Sequence, residues 1–217
     1  MVERSRRLGY ESRAIIERYD EHVEDVLVNV FYALALRSLA RLSGRELYRE
    51  RADRTERALI ERCWDERAGV FWDLAGRSER PIAVSTWSSL APLALPSLPE
   101  EIGRRIVEEQ ILDSRRFATP FGIPSVSLEE PSFRAGWHLS RCWRGPTWVN
   151  TGWLLIPPMR RLGYTQEADR ILASYLELVA RHGFREYYNP LTGDGLAARH
   201  FGWSTLLVDL VLDRNKA

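Results

Sequence analysis

Three tryptophans, Trp87, Trp148 and Trp203, each open an apolar segment, and they stand 61 and 55 residues apart. Each interval holds an apolar helical stretch, a more polar amphipathic stretch and a glycine-containing connection. A helix that is apolar on most sides belongs inside, whereas one with a single apolar stripe belongs in an outer layer. Helical hairpins of this size set side by side in a ring make an (α/α) toroid, so the expected fold is all-α. Six such hairpins need far more chain than the 217 residues present, which hold about three and a half. The expected object is an arc of a toroid, one domain over residues 1–217.

The periodicity fills in the elements. Ile15, Ile16, Tyr19, Val23, Val26, Leu27, Val30, Phe31 and Leu34 recur at helical spacing. They predict one helix over residues 12–42, buried on most sides in its second half and stopped by Ser43-Gly44. A polar outer helix follows over 46–63, then a short hairpin around Gly69. Residues 84–95 form a short inner helix and 99–112 an outer one, with Ile102, Ile106, Val107 and Ile111 on one face. Residues 114–145 are a Pro-, Gly- and Ser-rich loop weighted by Phe117, Phe121, Phe133 and Trp137. Residues 147–162 are the next inner helix, kinked late by Pro157-Pro158. Thr165 caps an outer helix to 181, a loop carrying Glu186 follows, and 201–212 close as a last apolar helix. The connection from Trp64 to Val70 resembles that from Tyr188 to Asp194.

Composition narrows the function. A net charge of +1 argues against a nucleic-acid partner. The apolar run 26–42 is interrupted by Asn29 and Arg37 and falls below a membrane-spanning length. Charge follows the first seven residues where a secretion signal has an apolar core, so a cytoplasmic location is expected. Cys63 and Cys142 read as isolated, buried thiols. His22, His138, His182 and His200 share no ligand-like spacing, and neither a metal nor a cofactor is expected. The chemistry concentrates in two places, Cys142-Trp143-Arg144-Gly145-Pro146-Thr147-Trp148-Val149-Asn150 and Phe184-Arg185-Glu186-Tyr187-Tyr188-Asn189-Pro190. Flat aromatic faces, a few fixed polar groups and a carboxylate suit a sugar-cleaving pocket. Hydrolysis of a glycoside normally takes two carboxylates, and these segments supply one.

With Thr119-Pro120-Phe121-Gly122-Ile123-Pro124-Ser125-Val126-Ser127 and Phe201-Gly202-Trp203-Ser204, these motifs resemble the C-terminal part of glycoside hydrolase family 63. Within that six-hairpin group the chain is most similar to bacterial mannosylglycerate and glucosylglycerate hydrolases. The resemblance implies an (α/α)6 barrel and an inverting α-glycosidase in which Glu186 is the general base. It also implies that Trp143, Arg144, Gly145 and Trp148 line the pocket of the cleaved sugar. Asn150, Tyr188 and Trp203 join them as candidate substrate-binding residues.

Several of these candidates have a second reading. Arg144 either braces the loop or holds a carboxylate such as glycerate; Asn150 either bonds a sugar hydroxyl or caps its helix; Tyr188 either touches substrate or packs. Trp64 and Trp72 read as packing. The general acid of the family, an aspartate, belongs to an upstream motif with no counterpart in residues 1–42. The chain alone is therefore expected to be inactive, with a small α-glycoside as substrate. Apolar inner faces left without neighbours predict association with the missing half or with itself. A non-catalytic carbohydrate-binding or scaffold remnant is the alternative; a toroid epimerase would use histidine, and no histidine stands in a signature segment.

Overall fold

The computed structural model describes residues 2–20, 22–136 and 142–214; Trp137, His138 and Lys216 lie outside them. The chain begins with two short helices, α1 (Val2–Arg7) and α2 (Ser12–Arg18), and a short strand, β1 (Val23–Glu24). The first hairpin of the toroid is α3 (Val26–Ser43) and α4 (Glu46–Cys63). Strands β2 (Trp64–Asp65) and β3 (Val70–Phe71), then β4 (Asp73–Ala75) and β5 (Arg80–Ile82), lead to an inner 3₁₀ helix, Trp87–Ala94. Its outer partner is α5 (Glu100–Arg105), which runs into a π-helical turn, Ile106–Ile111. The third hairpin is α6 (Val149–Arg161) and α7 (Thr165–His182), followed by β6 (Arg185–Tyr188) and β7 (Gly195–Arg199). A 3₁₀ turn, Gly202–Thr205, opens α8 (Leu206–Arg214). The inner 3₁₀ helix packs between α3 and α6, and α6 packs in turn on α8. The inner row is therefore α3, the 3₁₀ helix, α6 and α8, backed by α4, α5 and α7.

The predicted helix over 12–42 is two helices. Val23 and Glu24 leave helical geometry to pair antiparallel with Ala75 and Leu74. The Asp25 carboxylate accepts from the Val28 N–H (2.8 Å), and Asp73 accepts from the Val26 N–H (2.7 Å), so two carboxylates cap the start of α3. Burial of α3 also differs from expectation. Val26, Val30, Ala33 and Leu36 are buried, but Val28, Tyr32, Leu39 and Leu42 are exposed. Among the described residues α3, the first inner element, packs on one inner neighbour, the 3₁₀ helix, and on its outer partner α4.

Local chemistry explains the other elements. Gly44, at φ +67°, ends α3 in the left-handed cap that glycine favours. Residues 87–94 are 3₁₀, not α: Pro92 has no N–H to donate, and Leu95 is extended before Pro96. Thr86 and Ser89 close a capping box at its start. Tyr164, not Thr165, occupies the N-cap of α7, with no side-chain bond. Pro157 and Pro158 lie inside α6, which continues to Arg161. The Glu186 segment is a strand paired with β7 and not a loop.

The two look-alike connections share their turn atom for atom. The Gly69 and Gly193 N–H groups reach back to the Asp65 and Asn189 carbonyls (2.8 and 2.9 Å). Each of those two side chains also accepts from the second and third residues that follow it. Gly69 and Gly193 both have positive φ, +66° and +80°.

One buried charge cluster locks the first hairpin. Glu56 is 1% exposed, and its two oxygens take Arg37 Nε and Nη2 at 2.6 and 2.8 Å. Arg37 Nη2 also reaches Asp53 (2.7 Å), and Ser97 donates to Glu56 from the next hairpin. Those acceptors raise the Arg37 guanidinium above its ordinary range, its hydrogen bonds to Glu56 contributing most. Removing one partner of a buried pair leaves the other charge uncompensated. Arg37→Met is expected to lower stability by about 3 kcal/mol or more, read by urea denaturation. Arg37→Met combined with Glu56→Leu is expected to recover most of that loss.

Candidate active site

The three signature segments are joined by backbone bonds before any side chain is considered. Thr147 exchanges both backbone hydrogen bonds with Tyr188, each 2.9 Å, and bridges Pro124 on its other side. The Thr147 hydroxyl donates to the Phe121 carbonyl (2.7 Å), and the Phe121 N–H donates to the Pro190 carbonyl (3.1 Å). The Ser125 carbonyl accepts from Trp87 N–H (3.1 Å) and its hydroxyl from Gly145 N–H (3.0 Å). Gly145 is buried at φ +146°, and a Cβ there would collide with the Arg134 backbone. No other residue fits that corner.

On this frame the tryptophans that mark the repeat converge. Trp143 lies flat on Trp148, ring centroids 3.9 Å apart and planes within 4°. Its other neighbours are Trp87 at 5.8 Å, also stacked, and Trp203 at 6.3 Å. Trp148 is the base of the stack: 3% exposed, with Nε1 donating to the Cys142 carbonyl (2.9 Å) and Tyr187 packed against it at 4.9 Å. Trp143 and Trp203 are open, at 37% and 52% exposure.

A cavity of about 570 Å³ opens at this place, within the range of small-ligand sites. All four inner elements contribute to its wall: Leu27 and Phe31 from α3, Thr86 and Trp87 at the 3₁₀ helix, Asn150 and Trp153 from α6, Trp203 and Leu206 at α8. Ser125 and Trp143 complete it. The cavity is the concave face of the arc. The Asn150 Oδ1 atom is buried with no hydrogen-bond partner, so it does not cap α6 and remains a free acceptor in the wall. Trp153 is held in place by a bond from Nε1 to Asp209 (2.7 Å).

Of the residues singled out by sequence, Trp143, Asn150 and Trp203 come together in the cavity wall. Gly145 and Trp148 lie buried behind it, and Arg144 is exposed. Tyr188 is fully buried; its hydroxyl donates to the Gly183 carbonyl (2.7 Å) and accepts from Arg185 N–H (3.0 Å). It packs the hairpin and is not among the residues that line the cavity. Trp64 packs on Phe71 at 5.0 Å, as read. Cys63 and Cys142 are both free, Cys63 buried and Cys142 partly so. Burial pushes the Cys63 thiol up to about 11.

Glu186 is half-buried on β6 and is not among the residues that line the cavity. It precedes Tyr187, whose phenol is raised above its ordinary range by burial first, with Cys142 and Glu186 adding to it. A bulge shifts the β6–β7 register opposite Glu186. Within it Ala197 adopts φ +54°, and Ala198 N–H points to the Glu186 carboxylate at 3.3 Å. Bulges re-aim side chains, and strained non-glycine backbone gathers at functional sites. Sequence missed Leu27, Phe31, Thr86, Trp87, Ser125, Trp153 and Leu206 as wall residues, although Trp87 and Ser125 stood in recognised segments.

Gly145→Ala is expected to cost about 2 kcal/mol or more in thermal unfolding, because φ and space both oppose the methyl group. Trp143→Leu is expected to abolish the exciton couplet of the stacked indoles in far-ultraviolet circular dichroism while the helical signal stays unchanged.

The sequence profile of the mannosylglycerate hydrolase MGH1-like glycoside hydrolase domain matches residues 1–204. The mannosylglycerate hydrolase of Thermus thermophilus is 35% identical over 210 residues, 93% of this chain and 48% of that protein. The glucosylglycerate hydrolase of Mycolicibacterium hassiacum is 26% identical and spans 96% of this chain and 48% of its own length. A crystal structure of the family 63 Thermus thermophilus enzyme with glucose superposes with a TM-score of 0.82 at 32% identity, covering 94% of this chain and 51% of that one. The same enzyme with Tris and D-glycerate gives 0.83 at 31% identity, covering 97% and 50%. The chain spans about half the length of the curated relatives it matches. The arc is part of their helical toroid, and the chain belongs to the MGH1-like mannosylglycerate hydrolase family of glycoside hydrolase family 63 proteins, corresponding to a C-terminal part of that domain.

Proposed function

We propose that this chain carries the general-base half of an inverting α-glycoside hydrolase acting on mannosylglycerate, glucosylglycerate or a similar small α-glycoside. The observation that carries the reading is that Ser125, Trp143, Asn150 and Trp203, from the signature segments around Pro124, Gly145 and Trp203, meet in the wall of one tryptophan-lined cavity. The relatives named above hydrolyse such compounds, and one solved structure holds glucose. In this reading Trp143 and Trp203 offer flat faces to a sugar ring and Asn150 Oδ1 accepts from a hydroxyl. Arg144, exposed next to Trp143 in the chain, is the cation for a carboxylate such as glycerate. Gly145 and Trp148 shape the pocket from behind.

Glu186 is the base that takes a proton from the attacking water as that water adds to the anomeric carbon. The glycosidic oxygen leaves from the opposite face and must receive a proton there. That proton comes from an acid about 6.5–9.5 Å from the base, the spacing that leaves room for the water. The acid is assigned to the part of the toroid outside this chain's match, so the 217-residue chain by itself is inactive and the site is complete only with that part. We place the reaction in the cytoplasm, in a single catalytic domain.

Replacing Glu186 by Gln in the complete enzyme is expected to lower kcat about 10²–10⁴-fold with the fold intact by circular dichroism. Near-normal turnover in that variant rules out the assigned base. A second reading is favoured by the position of Glu186 outside the cavity wall: a carbohydrate-binding remnant with no base. Titration calorimetry of the completed protein with mannosylglycerate separates the two, since binding without hydrolysis supports the remnant.

A further inference from the structure

Between Arg185 and Tyr187 the two strands of the last hairpin lose step. Arg185 faces Arg199 and Tyr187 faces Leu196, so two residues, Ala197 and Ala198, stand opposite Glu186 alone. A bulge whose first residue is left-handed ordinarily has glycine there, yet here that residue is Ala197, at φ +54°. The residues on either side of Glu186 are pinned. The Arg185 N–H donates to the Tyr188 hydroxyl (3.0 Å), and the Arg185 carbonyl accepts from the Ser204 hydroxyl. Tyr187 is buried against Trp148. What remains to be set is the direction of the Glu186 side chain, and the bulge supplies it: the Ala198 N–H meets its Oε2 atom at 3.3 Å.

We infer that Arg185 is a positioning residue for Glu186: its guanidinium holds the facing strand in the bulged register that directs the carboxylate. Nη2 donates to the Ala197 carbonyl (2.8 Å) and Nε to the Leu196 carbonyl (3.4 Å). These two carbonyls flank the left-handed residue, so one rigid fork grips it from both sides; a lysine ammonium has no such fixed geometry. The stem reaches there across Gly195, where a Cβ would come within 2.6 Å of Arg185 Cγ. The turn itself does not need this arginine. Counted from the shared turn, the look-alike connection has Glu61 at this position, exposed and helical. Its strands pair Trp64 with Phe71 and Asp65 with Val70 in regular register. Arginine, bulge and carboxylate occur together in one connection, and none of the three stands at the matching positions of the other. This inference rests on the reading of Glu186 as the general base.

The test is steady-state hydrolysis of mannosylglycerate by the complete enzyme carrying Arg185→Met, which keeps the stem over Gly195 and removes the fork. The expected fall in kcat is about 10–100-fold, the scale of a misplacement of about 1 Å, with circular dichroism unchanged. KM is expected to stay within about threefold, because Arg185 is not among the residues of the cavity wall. Adding Ala197→Gly removes the strain that the arginine restrains, so the double variant is expected to return to within about fivefold of the parent kcat. A brace that served stability alone would lower the melting temperature and leave kcat intact. Unchanged kcat, a loss confined to KM, or an equal loss in the double variant overturns the inference. Should Arg185→Met fold poorly, Ala197→Val carries the test, since a β-branched residue opposes the left-handed backbone while the guanidinium stays in place. Unchanged kcat in that variant overturns the inference as well. An inactive Glu186→Gln beside a normal Arg185→Met removes the positioning role alone, whereas near-normal turnover by Glu186→Gln removes the base and this role with it.

Discussion

Thr147 is the residue on which the site depends. It is fully buried, and both of its backbone polar groups are spent on Tyr188 while its hydroxyl is spent on Phe121. A buried backbone group left unpaired costs about as much as a lost hydrogen bond, so every one of these partners has to be present together. The two partners, Tyr188 and Phe121, come from two stretches of chain separate from its own. The bonds at Thr147 therefore fix where the loop before α6, the segment around Pro124 and the strand β6 stand relative to each other. The next residue is Trp148, so the same bonds also set the base of the indole stack.

From that base the wall of the cavity follows in sequence. Trp148 has no free face because Trp143 covers it, and Trp143 is left as the exposed plane. An apolar wall of this kind makes its few polar groups count for more, since unpaired dipoles there have no water to fall back on. Thr86, Ser125 and Asn150 supply them, and Ser125 and Asn150 each sit within a signature segment. In small-ligand sites apolar planes give a ligand most of its binding energy, and sparse polar atoms give it orientation.

What the sequence made legible divides along the range of the interactions involved. The outer helix Glu46–Cys63 was readable to the residue because the Ser43-Gly44 stop before it and the hairpin around Gly69 after it are local signals. The break between α2 and α3 was not, because Val23 and Val26 fit a helical period as well as they fit what they do. Their actual partners, Ala75 and Asp73, are about fifty residues away. Strand β6 hid for a similar reason, since Tyr187 and Tyr188 are both buried and erase the alternation that marks a strand. The cavity wall was half legible: Trp143, Asn150 and Trp203 stand in recognisable motifs. Leu27, Phe31 and Leu206 are ordinary helix residues until the arc brings their helices around one axis. The long helix α3 was misjudged on burial because an apolar surface says that a neighbour is wanted, not that one is present.

The two look-alike hairpins set one turn in two different surroundings. Aligned on their shared turn, Asp65 corresponds to Asn189 and Trp64 to Tyr188, which sets Arg62 opposite Glu186. In the first copy α4 runs directly into two-residue strands, and Arg62 is an ordinary helix cation paired with Glu79 at 2.6 Å. In the second copy Gly183 stops α7 early, and the strands lengthen to four and five residues. The added length carries the bulge at Ala197, where a non-glycine residue holds a left-handed conformation. A plain hairpin has no use for that strain. Its cost is tolerated only because the Thr147–Tyr188 pairing anchors the strand on one side and Arg185, bonded to the Ala197 carbonyl at 2.8 Å, holds the bulge on the other. The same turn thus ends a helix in one repeat and presents a carboxylate in the other, and the difference lies in the strand residues beside it.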